Sequence, residues 1–522
     1  MWLRAIPLLL ILFFINSAPI SNIVPFNAQY SLKENLYCRE NLGNSQGKNI
    51  ILMIGDGMGF EHLKLARWVE LGKEGHLSME YLPLWLNVTT FSANNPITDS
   101  AAAATAFATG NKTNNGMLGV SPSLNPLETI LEIAQSLGKS TGLVTTTEIS
   151  HATPAAFMTH LSSRYNTSEI TRQIIEEAHV DVLMGGGKGD FSSTQFTQMD
   201  SAGYSIIESR SELETVQTDK VLGLFASGHM PYEVDRNRET TPSLVKMTEK
   251  AIEILSQDPD GFFLMIEGGR IDHAGHANNK VNVALETIEF DQAVDVAFSY
   301  ANTNPNTLLL VTADHETGGL SVLADTLNST LPLINRSADQ NELLRVERAN
   351  NISVSWTITG HTSQTVPLFG YGLDLSGFEN HSLIDNTEIF DIMSKYYSLD
   401  TKAPNITLIS PSNITYFSNN ISLNFTADEA ISWIAYSLDN HNNITITSNT
   451  TLDLLSEGSH FITLYANDTS GNIGNSITVW FTINIPDTLL IDPLLFSFIV
   501  VLVVMIVVLT VALIYQIRKG EY

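Results

Sequence analysis

The chain has 522 residues, and since a domain usually has about 100–200 residues, this length predicts more than one domain. The 27 Lys and Arg residues against 55 Asp and Glu residues give a formal charge of −28, which excludes the basic surface of a nucleic-acid-binding protein. With 43% hydrophobic residues the chain can bury a core, and its single cysteine, Cys38, excludes an intrachain disulfide or a thiolate metal cluster.

The N-terminus, residues 1–18, is typical of a secretory signal peptide. Arg4 supplies a positive charge, an apolar stretch runs from Ile6 to Ile15, and small or polar residues follow up to Ala18. An uncleaved N-terminal anchor is the alternative, although the apolar stretch is short for a membrane span. Residues 19–47 are then an N-terminal extension of the mature chain.

Between residues 48 and 398, short apolar runs alternate with amphipathic helical segments such as Leu127–Leu137 and Ser243–Leu255. The runs are continuously apolar, which is typical of strands buried on both faces of a parallel sheet. They read NIILMIG, TGLVTTT, VDVLMGG, GFFLMIEGG, TLLLVTADHE and VPLFGYG. The alternation predicts a layered α/β domain with a mostly parallel central sheet, in which ligands bind beyond the carboxyl ends of the strands.

Residues 404–486 have a different composition, rich in Asn, Ser, Thr and Ile. Short alternating strands lie between turns and read ISLNFTA, SWIAYSL, HFITLYAND and SITVWFTI. This pattern predicts a small immunoglobulin-like β-sandwich without cysteines, which would hold the larger domain off a membrane as a stalk. An Asn/Thr-rich composition also produces NxS/T motifs by chance, so glycosylation is an even alternative to bare asparagines at these motifs. They lie at Asn405, Asn413, Asn420, Asn424, Asn443, Asn449 and Asn467.

Residues 492–516 predict a transmembrane helix. The stretch from Leu494 to Tyr515 contains no charged residue and as a helix would be about 33 Å long, enough to cross a bilayer. A buried core helix is the alternative, which so long a Val/Ile/Leu run disfavours. Arg518 and Lys519 follow, and positive residues favour the cytoplasmic side. We therefore expect a membrane-anchored, cell-surface protein with a cytoplasmic tail at residues 517–522.

Residue types that bind metals stand at the ends of several of the apolar runs. Singly, each has a structural alternative: a plain glycine turn at Asp56, an i,i+4 ion pair between Asp272 and His276, and a structural histidine at His361. The complete set comprises Asp56 in IGDGMG, Glu267, Asp272 and His276 in IEGGRIDHAGH, Asp314 and His315 in VTADHE, and His361 before VPLFGYG.

Taken together, these carboxylates and imidazoles predict an oxygen- and nitrogen-ligated metal centre, suited to Zn²⁺ with a harder ion such as Mg²⁺. Two zinc ions and one magnesium ion would supply about +6 against about −4 from four carboxylates, which leaves a pocket of about +2. Such a pocket suits a phosphate dianion. Salt screens the acidic remainder of the surface beyond about 8 Å.

Ser100 in TDSAAAATAF is the candidate nucleophile. The alanine run favours a helix that begins at the Asp99–Ser100 pair, where backbone N–H groups and the helix dipole favour a phosphate. A simple helix N-cap is the alternative. A zinc ion bound to Ser100 would favour its role as nucleophile over that of an N-cap, because coordination lowers the pKa of a hydroxyl.

These residues resemble the alkaline phosphatase family. Several long motifs occur in the family's order, and the resemblance covers about residues 48–398, so that the tail domain and the membrane span lie outside it. The motifs are IGDGMG, TDSAAAATAFATGNKTNNGMLGV, HATPAAF, FFLMIEGGRIDHAGH, VTADHETGG and GHTSQTVPLFGYG.

The resemblance implies a three-layer αβα sandwich with two zinc ions and one magnesium ion. One zinc would be held by Asp272, His276 and His361, and the other by Asp56, Asp314, His315 and the oxygen of Ser100. Magnesium would be held by Asp56, Thr153 and Glu267. Arg164 in HLSSRYN would grip two phosphate oxygens, a task for which a planar guanidinium is suited. A surface arginine is the alternative.

Two histidines fall where members of this family vary. His151 occupies a position that is aspartate in some members, and His273 one that is lysine in some. We expect both, with Asp99, in or around the phosphate pocket, and they leave the third ion open. The segment Leu320–Gly360 is short for the family's surface insertion, so a homodimer and a monomer are both open.

The resemblance implies hydrolysis of small-molecule phosphate monoesters by double displacement through a phosphoserine. A phosphodiesterase or sulfatase on the same metal scaffold is the enzymatic alternative, which Arg164 and the magnesium ligands disfavour. A cell-surface binding protein with an inert α/β domain is the non-enzymatic alternative, which the complete set of ligands disfavours.

Overall fold

A computed structural model describes residues 48–324, 334, 341–372, 375, 378, 381–397, 403–429, 431–468, 473–486 and 493–520. The predicted signal peptide and N-terminal extension, with Cys38, lie outside the described residues, as do the last two residues of the predicted tail.

The N-terminal part of the described chain alternates strands with helices, as the apolar runs predict. Its strands are β1 (Asn49–Ile54), β2 (Leu84–Thr89), β3 (Ser140–Glu148), β4 (Val182–Gly186), β5 (Ser205–Ile207), β6 (Val221–Leu224), β7 (Phe262–Glu267), β8 (Thr307–Thr312), β9 (Glu316–Thr317), β10 (Ser321–Ala324), β11 (Ser353–Ser355), β12 (His361–Thr362), β13 (Val366–Tyr371) and β14 (Leu383–Asp385).

Helices follow most of these strands. They are α1 (Phe60–Glu70), α2 (Ser100–Thr109), α3 (Ile130–Ser136), α4 (Ala152–Met158), α5 (Thr167–Gln173), α6 (Ser193–Ser201), α7 (Arg210–Thr215), α8 (Leu244–Leu255), α9 (Arg270–His276), α10 (Lys280–Thr303), α11 (Glu342–Asn351) and α12 (Glu388–Tyr396). Short 3₁₀ turns lie at Ser78–Tyr81, Lys188–Asp190 and Glu233–Asp235, and a π turn at Ile174–Ala178.

Ten strands form one mixed sheet in the spatial order β14-β2-β13-β8-β1-β7-β3-β4-β6-β5. Strand β1 pairs in parallel with both β7 and β8, and β3 pairs in parallel with β7 and β4. The prediction of an α/β domain with a mostly parallel sheet is therefore confirmed. Two small ribbons, β10 with β11 and β9 with β12, lie outside this sheet.

Strand β13 differs from the expectation for a run in a parallel sheet. It pairs antiparallel with both of its neighbours, β2 and β8. The run VPLFGY is buried along almost its whole length, as predicted. A continuously apolar run reports burial on both faces of a sheet and carries no information on strand direction, which explains the difference.

The centre of the sheet forms the core of this domain. Each residue of Ile50–Ile54 in β1 has no exposed surface, and β7 and β8 are likewise buried throughout. Burial of such side chains contributes about 1.5–3 kcal/mol each relative to exposure. The helices form two groups: α10 packs against α1, α8, α9 and α11, whereas α2 packs against α4 and α12. The strand ends beyond this core are therefore held rigidly.

The C-terminal part of the described chain contains two further β-sheets. Their strands are β15 (Ile406–Ser410), β16 (Thr415–Tyr416), β17 (Ile421–Ala427), β18 (Ile431–Leu438), β19 (Ile444–Ile446), β20 (Thr450–Leu452), β21 (Gly458–Asp468), β22 (Ile473–Asn475) and β23 (Val479–Ile483). Strands β15, β17 and β20 form one sheet, and β16, β23, β21, β18 and β19, with β22 beside β21, form the other. A separate hydrophobic core includes Leu423, Ile462, Leu464 and Phe481.

The last helix, α13 (Pro493–Lys519), is long, apolar and exposed along its described length. Within it, the 26 residues Leu494–Lys519 contain an 18-residue window with a mean hydropathy of 3.3, and no part of that window is buried. By length and composition this helix is a candidate membrane span, in the place that the sequence predicts.

Candidate active site

The sheet brings the predicted strand-end residues to one edge. Strands β8, β1 and β7 are neighbours, and because they run in parallel their carboxyl ends lie side by side. Asp56 follows β1, Glu267 ends β7, and Asp314 follows β8. All three carboxylates have no exposed surface. The helix α9, which follows β7, carries Asp272 to the same edge.

A glycine allows the loop after β1 to approach α9. Gly57 has φ +74°, a left-handed conformation that side chains rarely adopt. A Cβ atom there would lie 2.9 Å from Cα of Asp272, and the Gly57 N–H donates to Oδ1 of Asp314 at 3.0 Å. The glycine therefore lets the three strand-end segments close around Asp56.

Two histidines face each other beside Asp272. Nδ1 of His276 lies 2.5 Å from the carbonyl oxygen of Thr359, and Nδ1 of His361 lies 2.9 Å from that of Thr98. A carbonyl only accepts, so both rings donate through Nδ1 and leave lone pairs on Nε2. Those two Nε2 atoms are 3.2 Å apart, and they lie 3.3 and 3.6 Å from the Asp272 carboxylate. Two such nitrogens beside a carboxylate require a cation between them, which is a proton on His276 in the metal-free chain or a metal ion, and this is the usual arrangement of metal-binding histidines.

His315 points its Nε2 atom at a second group of oxygens. That nitrogen lies 3.2 Å from Oδ2 of Asp314 and 3.6 Å from Oδ1 of Asp56. Burial lowers the pKa of His315 well below its ordinary value, so the ring is neutral. One ligand atom each of Asp56, Asp272 and His315 lies within 4.8 Å of the others. Both Asp272 and Asp314 are thus close enough to share an ion with this histidine.

The buried carboxylates have oxygens that lack hydrogen-bond partners. Both oxygens of Asp56, Oδ2 of Asp314 and Oε1 of Glu267 are buried without one. Burial, with the neighbouring carboxylates, raises the pKa of Asp56 well above its ordinary value, and burial raises that of Asp314 to about 6 and that of Glu267 to about 7. Buried oxygens are rarely left unpaired, so this donor set fits divalent cations.

Asp272 behaves differently from these three carboxylates. Burial acts to raise its pKa, but the hydrogen bond from His276 and the charge of that imidazole outweigh burial and hold the pKa below its usual range. Asp272 therefore stays ionised between the two histidine groups.

A third group of ligand atoms lies around Glu267. Single atoms of Asp56, His151 and Glu267 lie within 4.8 Å of one another, and Thr153 at the start of α4 is fully buried. The hydroxyls of Thr145, Thr153 and Thr147 lower the pKa of Glu267 against the effect of burial. Three threonine oxygens and two carboxylates suit a hard ion such as Mg²⁺.

Ser100 is the first residue of α2, and the predicted helix start is confirmed. Asp99 caps this helix, because its Oδ1 accepts from the N–H of Ala102 at 3.1 Å. The Ser100 side chain is buried, and its Oγ lies 3.4 Å from Nε2 of His315. The hydroxyl thus faces the group formed by His315 and the buried carboxylates, at the positive end of the helix.

Arg164 lies in the same pocket rather than on the open surface. Its Nη1 donates to Oδ2 of Asp99 at 3.1 Å, and its Nη2 lies 3.1 Å from Nε2 of His151. Asp99 therefore both caps α2 and holds the guanidinium near the serine.

Comparison with known proteins identifies the family. The sequence model of the alkaline phosphatase family matches residues 47–347. "Alkaline phosphatase 3" of Bacillus subtilis is 34% identical over 66% of this chain and 87% of its own length. The chain belongs to the alkaline phosphatase family.

Two solved structures of alkaline phosphatases are similar to this chain. The cold-active enzyme of a psychrophilic Shewanella has a TM-score of 0.59 and 32% identity, and the match covers 67% of this chain and 99% of that one. A histidine-to-glutamate variant of the enzyme from the Antarctic bacterium TAB5, with magnesium in its M3 site, has a TM-score of 0.57 and 30% identity. That match covers 69% of this chain and 100% of the other.

Membership in the alkaline phosphatase family makes the chain a metal-dependent phosphomonoester hydrolase. The function and enzyme class that the sequence predicts are confirmed at this level. The alternatives of a diesterase, a sulfatase or a non-catalytic binding protein are not supported by the matches.

Three residues of the alkaline phosphatase pocket are absent from the sequence prediction. The ring of His229, in the loop after β6, lies 4.4 Å from that of His273 and 5.8 Å from that of His151. Arg270 stacks on Tyr232 with its Cζ atom 3.9 Å from the ring centre. The rule that ligands gather beyond parallel strand ends applies to β6 as well, and a histidine five residues past that strand was the available signal.

Proposed function

We propose that this alkaline phosphatase hydrolyses monoesters by two successive displacements at phosphorus, with Ser100 as the nucleophile. The observation that carries this proposal is the position of Ser100 Oγ, buried at the N-terminus of α2 and 3.4 Å from Nε2 of His315. A hydroxyl in that position has a neutral imidazole and buried carboxylates around it, and backbone N–H groups behind it.

In the first displacement, Ser100 gives its proton to solvent water, its Oγ forms a bond to phosphorus, and the ester P–O bond breaks. The leaving oxygen takes up a proton from water and departs as an alcohol. In the second displacement, the oxygen of a water molecule bonds to phosphorus, the Oγ–P bond breaks, and Ser100 regains a proton as inorganic phosphate leaves. Water and ester are consumed, and the serine is regenerated.

We infer that two zinc ions and one magnesium ion occupy the three groups of ligand atoms. Asp272, His276 and His361 would hold one zinc, and Asp56, Asp314 and His315, with Ser100, would hold the other. Asp56, Thr153 and Glu267 would hold magnesium. When bound, the ions supply Lewis acidity, which lowers the pKa of a hydroxyl or a water and offsets charge on the phosphoryl oxygens.

Two observations support magnesium as the third ion. The threonine and carboxylate oxygens around Glu267 are hard ligands, and the similar TAB5 variant is described with magnesium in its M3 site. His151 also contributes an atom to this group. Its Nε2 faces the Arg164 guanidinium, which only donates, so that nitrogen accepts a hydrogen bond and is not free to bind the ion.

Arg164 is the residue that we infer grips the phosphoryl group. Its fork-shaped guanidinium can bond two oxygens at once, and Asp99 holds it beside the serine. As phosphate binds, one of the present guanidinium contacts can exchange for a phosphoryl oxygen without loss of the other. His151 and His273 would line the same pocket around the phosphate.

A partition experiment tests the covalent intermediate. With glycerol present as an alternative acceptor, p-nitrophenyl phosphate and phenyl phosphate are expected to give the same ratio of glycerol phosphate to inorganic phosphate. Both substrates pass through one phosphoserine, from which the leaving group has already departed. The two products are quantified at several glycerol concentrations, and chelated enzyme serves as the blank. A ratio that depends on the leaving group would indicate direct attack on the ester.

We also infer the arrangement of the whole chain. The two groups of helices on the ten-stranded sheet support a three-layer αβα sandwich at residues 48–398. The two C-terminal sheets around their own core support an immunoglobulin-like sandwich at residues 404–486, which acts as a stalk. Glycosylation of the seven motifs, the signal peptide at residues 1–18 and a homodimer stay predictions.

The membrane anchor and its orientation are a further part of this proposal. The exposed apolar helix α13 supports a single span at residues 492–516, and Arg518 and Lys519 support a cytoplasmic tail at 517–522. The full chain is expected to pellet with membranes after carbonate washing, whereas a chain ending at Pro486 is expected to stay in the supernatant. Intact cells that express the full chain should hydrolyse external p-nitrophenyl phosphate. Activity that appears only after lysis would contradict the orientation.

A further inference from the structure

The histidines of this site are of two kinds, which differ in what bonds to Nδ1. His276 and His361 donate from Nδ1 to carbonyl oxygens, which leaves Nε2 free to bind a metal. His273 is the opposite case, because its Nδ1 lies 2.9 Å from Nη1 of Arg270. A guanidinium has five N–H donors and no acceptor, so Nδ1 of His273 must accept. A neutral ring that accepts at Nδ1 carries its proton on Nε2.

Arg270 is itself held in place from two sides. Its guanidinium lies over the ring of Tyr232, with Cζ 3.9 Å from the ring centre, a distance at which cation–π attraction is strong. Its backbone N–H donates to Oγ1 of Thr146 at 3.1 Å. Arg270 and His273 are three residues apart on α9, so the arginine reaches the ring on its own helix face. The donor to Nδ1 is therefore fixed before any substrate binds.

His229 also accepts a hydrogen bond at Nδ1, in its case from the backbone. A backbone N–H, that of Glu148, points at its Nδ1 at 3.3 Å, and a backbone N–H can only donate. The ring of His273 lies 4.4 Å from that of His229 and 5.8 Å from that of His151, whose Nε2 in turn faces Arg164. His273 therefore lies on the pocket wall that also holds the proposed phosphate-gripping arginine.

We propose that Arg270 is a positioning residue for phosphate binding: braced on Tyr232, it fixes His273 as a neutral donor whose Nε2–H faces the phosphoryl group. The inference rests on the proposed phosphate pocket at Arg164. Arg270 acts through His273 and does not itself contact the phosphate. A neutral N–H donor bonds a phosphoryl oxygen without adding charge to the pocket, and its direction matters because a hydrogen bond weakens steeply when misaligned.

A double-mutant cycle on equilibrium binding of inorganic phosphate tests this proposal. In the zinc- and magnesium-loaded full chain in detergent, Arg270→Met and His273→Ala are each expected to weaken phosphate binding by about tenfold. The double variant is expected to bind no more weakly than His273→Ala, because Arg270 acts only through that ring. Arg270→Lys keeps a donor without an acceptor and should recover part of the loss. Calorimetry gives the dissociation constants.

Tyr232 provides an independent variant in case the arginine variants fail to fold. Tyr232→Phe keeps the ring face and should bind phosphate as the parent does, whereas Tyr232→Leu should weaken binding in the same direction as Arg270→Met. Metal content is measured for each variant. The proposal is overturned if Arg270→Met binds phosphate like the parent, or if its effect is as large without His273 as with it. Product binding does not require a serine nucleophile, so these outcomes are separable from failure of the double displacement.

Discussion

Replacing Ser100 with alanine is expected to lower kcat for p-nitrophenyl phosphate by about 10⁴-fold or more, as is usual when a covalent nucleophile is removed. The fold should tolerate the change, because Ser100 precedes a run of alanines on α2 and Asp99, rather than the serine, caps the helix. The metal ligands of the neighbouring groups also remain. Rapid acid quench with ³²P-labelled phosphate should therefore give a labelled parent protein and an unlabelled variant.

The matched control is another buried serine, outside the metal-ligand groups. Ser92 is 5% exposed and bonds Asn94 and the carbonyl of Asn95 within its own loop, away from the metal-ligand groups. Ser92→Ala is expected to label normally and to keep kcat within a few-fold of the parent. Labelling of the Ser100→Ala variant at the parental level would assign the nucleophile to another residue.

The strand-end carboxylates could be predicted because one physical rule places them. Asp56, Glu267 and Asp314 follow runs that are apolar on both faces, and such runs become central strands of a sheet. Parallel neighbours end at the same edge, so sequence order alone brings these residues together. The alanine-rich helix at Ser100 was predictable for a local reason, the Asp99 cap before strong helix formers.

The remainder depends on contacts that local sequence does not encode. The direction of β13 is set by its neighbours, and His361 reaches Asp272 only because β12 pairs with β9 beyond the sheet. The two kinds of histidine cannot be told apart by sequence, since a carbonyl or a guanidinium at Nδ1 is a tertiary contact. For the same reason the stacking of Arg270 on Tyr232, 38 positions apart, leaves no pattern in the chain.

Removing the metal ions is expected to abolish activity and also to destabilise the fold, increasingly so at alkaline pH. Without ions, both oxygens of Asp56 and one buried oxygen each of Asp314 and Glu267 keep no compensating partner. Dialysis against EDTA should lower the midpoint of thermal unfolding relative to protein loaded with zinc and magnesium. Zinc plus magnesium should restore both activity and stability, because ions that bind only the folded chain stabilise it.

The pH dependence follows from groups whose pKa is raised in the folded chain. Burial raises the pKa of Glu267 to about 7, and the hydrogen bond to Asp272 raises that of His276 to about 9. A raised pKa means that the folded chain holds the proton more tightly, so the stability it contributes is lost as the pH rises through that value. The buried neutral histidines change the stability only below about pH 6.5, because that is where the histidines of the unfolded chain begin to take up protons. The loss due to Glu267 is nearly complete at pH 7 and that due to His276 continues to about pH 9, so between pH 6.5 and 9 the metal-free midpoint should fall, mainly because of His276.

The loaded protein should not share this fall, because metal binding requires deprotonated ligands and strengthens as the pH rises. The difference between the two midpoints is thus expected to widen from pH 6.5 to 9, as measured by differential scanning calorimetry. A constant difference would mean that His276 and Glu267 are not among the groups from which the ions displace protons.

Asp56→Asn is expected to have opposite effects on the two forms of the protein: it should stabilise the metal-free form and inactivate the metal-loaded form. Asp56 lies against Asp314, Asp272 and Glu267, whose charges, together with burial, raise its pKa well above the ordinary value. Removing its charge should stabilise the metal-free protein at pH 9, with a shift of roughly 1–2 °C for each kcal/mol of repulsion relieved in a domain of about 350 residues. The same change removes a ligand from two of the proposed ion groups, so activity in zinc and magnesium should be lost. A variant that is destabilised in both states would show that Asp56 supports the fold without an ion, contrary to its unpaired oxygens.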